Sequence, residues 1–345
     1  MNRRSGSRRL KAGAWHTEIV TQATQPRRGL VLGAGGVLGA AWSVGALCAL
    51  EESTGIDPRT CDYIVGTSAG AVLAALLGSG VTPGELRDHQ RGLVMRGRLA
   101  DLSWDYDRSA GGALPPLPRL GVGSPALVRR NAWRLRRLPP TAIISALLPV
   151  GRGSLDELGE LVAALAPGGG WAEHPGVWLV AMDYETGRRV PFGRPGEPPA
   201  SLVEAVMASC AIPGWYAPVV IDQHRFVDGG VCSATSVDLL VGLDLDEVYV
   251  VAPLVSLATD HPRSLLVKME RRWRAVVTRR CLHEAEKLQA QGTSVTILAP
   301  GPEDLEAIGG NLMQTSRRLS VFETSLRTSA QALAREDLLP PTGTG

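Results

Sequence analysis

The sequence predicts an α/β fold, a central mostly parallel sheet flanked by helices, on three observations. A short apolar run, Gly29–Leu32, breaks into Gly33-Ala34-Gly35-Gly36 and continues as a helical pattern from about Val37 to Glu52. A second run, Tyr63-Ile64-Val65, passes at once into Gly66-Thr67-Ser68-Ala69-Gly70 and an Ala/Leu-rich helix ending near Leu77. Buried-strand patterns then return at Val177–Met182, Val248–Val251 and Val295–Leu298. Strands alternating with helices through tight glycine loops pair as parallel neighbours, because the helix is the crossover.

In chain order, residues 1–27 are basic and polar without an apolar core segment, and read as a disordered tail rather than a secretory signal. Residues 28–339 read as one domain, interrupted at about 97–151 by a stretch rich in Arg, Pro and Gly. Inside it, Leu127–Leu138 sets Arg129, Arg130, Arg134, Arg136 and Arg137 around Leu127, Trp133, Leu135 and Leu138. A short basic helix with an aromatic suits the surface of an anionic membrane, and equally an ordinary solvated cap helix. Trp104 and the neighbouring prolines fit a lid or an unstructured insertion. Further on, Leu266, Met269, Trp273, Val276, Val277 and Leu288 approximate an apolar helical stripe, with Arg271, Arg272, Arg274 and Arg279 mostly outside it. Phe322, Leu326 and Leu333 predict a last helix on the sheet, and residues 340–345 a second disordered tail.

Composition narrows the function classes. The 345 residues are 44% hydrophobic and 20% charged, enough for the core of one large α/β domain. A mean hydropathy of +0.04 and apolar runs as short as Ala71–Leu77 argue against a multi-span membrane protein. Five cysteines without CxxC spacing suit buried thiols in a reducing compartment rather than a disulfide scaffold or a zinc site. The expected location is therefore cytoplasmic, with peripheral membrane contact through the Arg-rich insertion. A net charge of +2 does not suggest nucleic-acid binding, and nothing in the sequence sets an oligomeric state.

The chemistry concentrates in three segments. Gly66-Thr67-Ser68-Ala69-Gly70 fits GxSxG, a sharp strand-to-helix turn that presents a serine, with Gly66 and Gly70 kept small so that the turn closes. The helix that follows points its N-terminus at Ser68, where negative charge develops during acyl transfer. A serine nucleophile also needs an oxyanion hole, and the backbone N–H groups of Gly35, Gly36 and Val37 are placed to supply one. A dinucleotide fingerprint fails at that loop, since Leu38 occupies its third glycine position, and no Walker A GK[ST] follows. The third segment is Phe226-Val227-Asp228-Gly229-Gly230, an acid ending an apolar strand before two glycines. By contrast His89, His174, His224, His261 and His283 lie in no sharply defined loop, which weakens a Ser-His-Asp triad. Cys210 and Cys232 read as core residues, and Trp215 and Tyr216 either line an acyl pocket or pack at its rim.

In this order the segments resemble the patatin-like phospholipases. Gly33–Gly39 is similar to the family's oxyanion loop, Gly66–Gly70 to its nucleophile elbow, and Asp228-Gly229-Gly230 to its acid motif. Ala208–Gly214 (ASCAIPG) is similar to the small-residue segment before that acid, and Met182–Arg189 to a strand–turn piece of bacterial members. The resemblance spans about Arg28–Val251 and implies a patatin-like three-layer fold. It implies a Ser–Asp dyad with Ser68 as nucleophile and Asp228 as base, and an oxyanion hole from Gly35, Gly36 and Val37. The implied substrate is a lipid carboxylic ester, cleaved through an acyl-enzyme with no metal and no cofactor. Two positions depart from the family: Ala34 replaces a glycine, and Leu38 stands where many members carry Arg or Lys. The alternatives are a soluble α/β-hydrolase esterase with a histidine triad and a catalytically silent lipid-binding module.

Overall fold

Strand β1 (Arg28–Leu32) opens the fold in the computed structural model, which describes residues 25–93, 97–100, 121–131, 139–166, 168–257 and 265–335. It feeds helix α1 (Gly36–Thr54), stopped by Gly55 in the left-handed region. Strand β2 (Tyr63–Thr67) feeds α2 (Ala69–Gly78), every residue of which is buried. Helix α3 (Pro83–Gln90) starts on a Thr82/Glu85 capping box with Pro83 in its first turn. Next come α4 (Pro125–Asn131), α5 (Pro140–Leu147) and α6 (Asp156–Leu165), then β3 (Val177–Asp183) and its hairpin partner β4 (Arg189–Phe192). Helix α7 (Leu202–Cys210), begun by a Ser201/Glu204 capping box, leads to β5 (Val219–Ile221) and β6 (His224–Asp228). The chain closes with β7 (Glu247–Val251), α8 (Leu265–Gln289), β8 (Ser294–Leu298), α9 (Pro302–Ile308) and α10 (Arg318–Ala334).

Five strands pair in parallel in the order β8–β7–β1–β2–β3, as the glycine-loop crossovers require. The antiparallel strands attach at β3, and the register fixes how. Residues 179–182 of β3 pair with β4, which therefore occupies one edge of that strand. Along the opposite edge β2 pairs with residues 177–180, and β6 with residues 181–183. Thr67 lies opposite Val180 and Asp228 opposite Ala181, so β2 and β6 run toward each other and stop at adjacent rungs. The residue after Thr67 is Ser68. This end-to-end meeting joins two chain segments 160 residues apart in sequence, and no local pattern announces it.

Successive strand residues alternate between two helical layers. Leu30, Leu32, Ile64, Leu179 and Leu298 face the core shared with α1, α2, α6, α7 and α10. Val31, Val65, Val180, Val250 and Ile297 face the core shared with α8. The expected mostly parallel α/β sandwich is therefore present, with strand positions within a residue or two of those read from the sequence. Two expectations need correction. On α8 the buried stripe is Arg274, Thr278, Cys281, Ala285 and Leu288, whereas Trp273 is 37% and Val276 49% exposed. The stripe advances by three and four residues from Arg274, and the sequence reading set it about one residue off because arginine was placed outside. Helix α10 packs on α1 rather than on the sheet, so closely that a Cβ on Gly45 would lie 2.7 Å from the Leu326 nitrogen. The described part of the expected basic helix is helical, as α4, but Trp133, Arg134, Leu135, Arg136, Arg137 and Leu138 lie outside the described residues, as do Trp104, the side chains of Leu266 and Met269, residues 1–24 and the terminal tail. Among the described residues no helix is long and apolar enough to cross a membrane.

Candidate active site

Ser68 stands between β2 and α2 with φ 55° and ψ −122°, a backbone conformation that a side chain rarely adopts. Holding it costs about 1–3 kcal/mol, which the surrounding packing must supply. The two glycines of the motif make that packing possible. A Cβ on Gly66 would lie 2.4 Å from the Gly70 carbonyl oxygen, and one on Gly70 would lie 2.0 Å from the Leu32 carbonyl oxygen. The turn is therefore pressed against the end of β1, and its serine is 5% exposed.

Asp228 arrives at the end of β6 and accepts a hydrogen bond from the Ser68 hydroxyl. Its Oδ1 also accepts the Gly230 N–H at 2.7 Å. Burial pushes the carboxyl up to about 6, and the hydrogen bonds from Ser68 and Gly230 hold it from rising further. A carboxylate with that affinity for a proton is a far better base toward a hydroxyl than a solvated aspartate, and it remains ionised at neutral pH.

The last residues of α7 and those just after it tie the two side chains to one frame. Ser209 Oγ accepts the Ser68 N–H at 2.9 Å and donates to the Val180 carbonyl at 2.6 Å. Cys210 Sγ donates to the Ser68 carbonyl at 3.4 Å, and the Ala211 carbonyl accepts the Asp228 N–H at 3.0 Å. Ser209 itself is fully buried. Sequence reading placed this segment near the acid but assigned none of its residues a part in holding the serine.

The glycine loop after β1 lies beside this pair. Gly33 and Ala34 donate to the Val251 and Ala234 carbonyls at 2.9 and 2.8 Å, and Leu38 donates to Leu312 at 2.9 Å. Among the described residues, the intervening amides of Gly35, Gly36 and Val37 have no acceptor. They are the three singled out from the sequence. Gly36 has φ +60°, which explains its lack of a side chain, and it lines the same cavity as Ser68. Because β1 and β2 are adjacent and parallel, the N-termini of α1 and α2 converge here and both favour negative charge. The two departures at this loop are benign in structure. The Ala34 side chain joins a small cluster with Ala234 and Leu254, and Leu38 is fully buried in the core.

The loop following Asp228 is anchored from the other layer. Glu284 on α8, 2% exposed, accepts the Ser233 and Thr235 hydroxyls at 3.0 and 3.1 Å and the Val237 N–H at 3.2 Å. Arg280 donates to its second oxygen at 3.0 Å. Arg189 grips Asp238 with two hydrogen bonds of 2.8 and 2.6 Å. No sequence signal marked Glu284, whose Ser233, Thr235 and Val237 partners lie some fifty residues away.

An apolar cavity opens from Ser68 between α1 and α2, and Tyr216 and Cys210 line it, as does Ile212. Trp215 stacks on Tyr216 with ring centroids 6.2 Å apart. Burial raises the Cys210 thiol well above its ordinary value, which leaves it inert. His89 also borders the cavity, and burial, aided by Arg318, lowers its imidazole to about 4, so it is neutral at physiological pH. His174 accepts the Gly176 N–H with Nδ1. His224 and His283 are exposed beside Asp183 and Glu286, and His261 lies outside the described residues.

The family model described as patatin-like phospholipase matches residues 30–241, a span that contains both ends of the hydrogen bond between Ser68 and Asp228. Among solved structures, the chain is similar to the crystal structure of VipD from Legionella pneumophila, with 14% sequence identity, a TM-score of 0.41, and 90% of this chain and 67% of that chain covered. No curated protein matches the sequence.

Proposed function

As the chain belongs to the patatin-like phospholipase family, whose activity is lipid acyl hydrolysis, we propose that it cleaves lipid carboxylic esters through an acyl-enzyme formed on Ser68, with Asp228 as the base. The observation that carries this reading is the hydrogen bond from a strained, buried serine to a buried carboxylate that titrates near 6.

In this reaction Asp228 takes the Ser68 proton as Oγ bonds to the ester carbonyl carbon. The oxyanion that forms is met by the amides of Gly35, Gly36 and Val37, each such donor being worth about 3–4 kcal/mol in comparable sites. The protonated Asp228 then gives its proton to the departing alcohol, which leaves the acyl group on Ser68. Water, deprotonated by the same carboxylate, attacks the acyl-enzyme. The carboxylic acid departs and Ser68 recovers its proton. No imidazole takes part. Residues 28–339 act in this reading as one catalytic unit, and Arg129 and Arg130, exposed on α4 within the 97–151 insertion, face the anionic membrane surface that presents the lipid.

The test is labelling by a fluorophosphonate probe. Wild type reacts, Ser68→Ala does not, and Asp228→Asn labels at least about a hundredfold more slowly at matched folding. Full-rate labelling of folded Asp228→Asn would remove the acid from the mechanism and redirect attention to His89.

A further inference from the structure

The cavity beside Ser68 has a measurable length. Helices α1 and α2 leave adjacent parallel strands, so they run side by side away from the dyad. The cavity is walled by Val37, Ala40 and Val44 of the first, and by Ala69, Val72 and Leu76 of the second. Each set recurs every three or four residues and so forms one face of its helix. From Ser68 to Leu76 is eight residues, or about 12 Å of helix at 1.5 Å each. Helical side chains lean toward the N-terminus, which shortens the usable trough to about 10–12 Å.

Among the described residues, buried side chains line the far end of the trough. Val44, Leu76, Leu86 and Leu99 are each less than 5% exposed there, and Gln90 beside them is fixed by the Arg318 guanidinium at 2.6 Å. At the dyad end Val37, Ala40 and Ile212 are partly exposed, so this is the mouth. An extended hydrocarbon with bonds of 1.52 Å at 111° advances about 1.25 Å per carbon. Eight to ten carbons therefore fill the trough and a longer chain meets a wall.

We propose that this cavity is a ruler for the acyl group, selecting medium-chain esters of about eight to ten carbons whose acyl carbonyl rests at Ser68. The proposal rests on the hydrolase reading for its chemistry, whereas the length limit belongs to the trough alone. Binding to Ser68→Ala protein separates the two. Primary fatty amides, which are neutral and not turned over, are titrated calorimetrically from hexanamide to tetradecanamide. Affinity rises about fourfold per methylene up to about ten carbons, as full burial of each CH₂ requires, and then levels or falls. A rise that continues unbroken to fourteen carbons overturns the ruler.

Wild-type hydrolysis of p-nitrophenyl esters supplies the second readout. kcat/KM peaks at the octanoyl or decanoyl ester, Val72→Phe moves the peak to shorter chains, and Leu76→Ala moves it to longer ones. Turnover that is equal from butanoyl to palmitoyl overturns the ruler and leaves the hydrolase standing. A break in amide affinity near ten carbons, with no ester hydrolysed, keeps the ruler and removes the hydrolase.

Discussion

Asp228 binds its proton more tightly in the folded protein than in the unfolded chain, about 6 against 3.8, because its carboxylate is buried. The stability linked to that proton is complete below pH 3.8 and is lost as pH rises through 6, leaving a penalty of about 3 kcal/mol at neutral pH. Asp228→Asn removes the charge but keeps an acceptor for Gly230. Its melting temperature should exceed that of wild type by several degrees at pH 8 and match it at pH 3.5, while wild-type hydrolysis climbs through pH 6 and levels above it. Equal melting at pH 8 would show that the buried charge carries no such penalty. A buried carboxylate this costly to fold around is the usual mark of a group retained for chemistry rather than stability. Ser68 and Asp228 were each singled out in the sequence for local reasons, whereas their pairing as a dyad was implied by the family resemblance. Each ends an apolar strand and is followed by small residues, a combination that packing alone rarely demands. The amides of Gly35, Gly36 and Val37 were legible for the same reason, since a glycine loop that opens a helix leaves donors unpaired.

Helix α7 shows what local signals omit. Its Ser209 meets the Ser68 N–H across 141 positions of sequence, and a serine in the last turn of a helix looks like any other. The hydrogen bond from Ser209 to Val180 ties that contact to β3, so the helix end acts as a bracket between nucleophile and sheet. Ser209→Ala leaves the Ser68 N–H buried without its acceptor, at about 1–3 kcal/mol. The expected outcome is a fall of about 10–100-fold in kcat with KM within about twofold, because the bracket aims the hydroxyl and touches no substrate. An unchanged kcat in folded protein would reduce Ser209 to a packing residue. Helix α8 was misread for a related reason. Arg274 is wholly buried because its guanidinium donates to the Pro253 carbonyl at 2.7 Å and pairs with Glu270, and hydropathy has no means of registering such partners.

Across the whole molecule the two helical layers divide the work. The α1/α2 layer encloses the apolar cavity beside Ser68, and the α8 layer holds the chain beyond Asp228 through Glu284. Glu284→Ala strands two hydroxyls, an amide and Arg280, and removing one member of such a buried ionic cluster costs about 3–5 kcal/mol. A urea unfolding midpoint should drop accordingly, and the hydrolytic activity of the remaining folded fraction should drop with it. Unchanged stability would mean that the loop holds itself. The mostly parallel core was legible because its crossovers follow from the glycine loops. The seam where β2 and β6 abut was not, since it depends on which edge of β3 was left free once β4 had paired. That seam works like a vernier. Its two scales advance in opposite senses along a common rule, and their marks, the hydroxyl and the carboxylate, coincide at a single setting. Displacing either scale by one division moves its mark by about 3.3 Å, more than the whole span of a hydrogen bond. Correct alignment of the two strands is thus written into the chemistry, and a molecule that turns over has certified its own assembly.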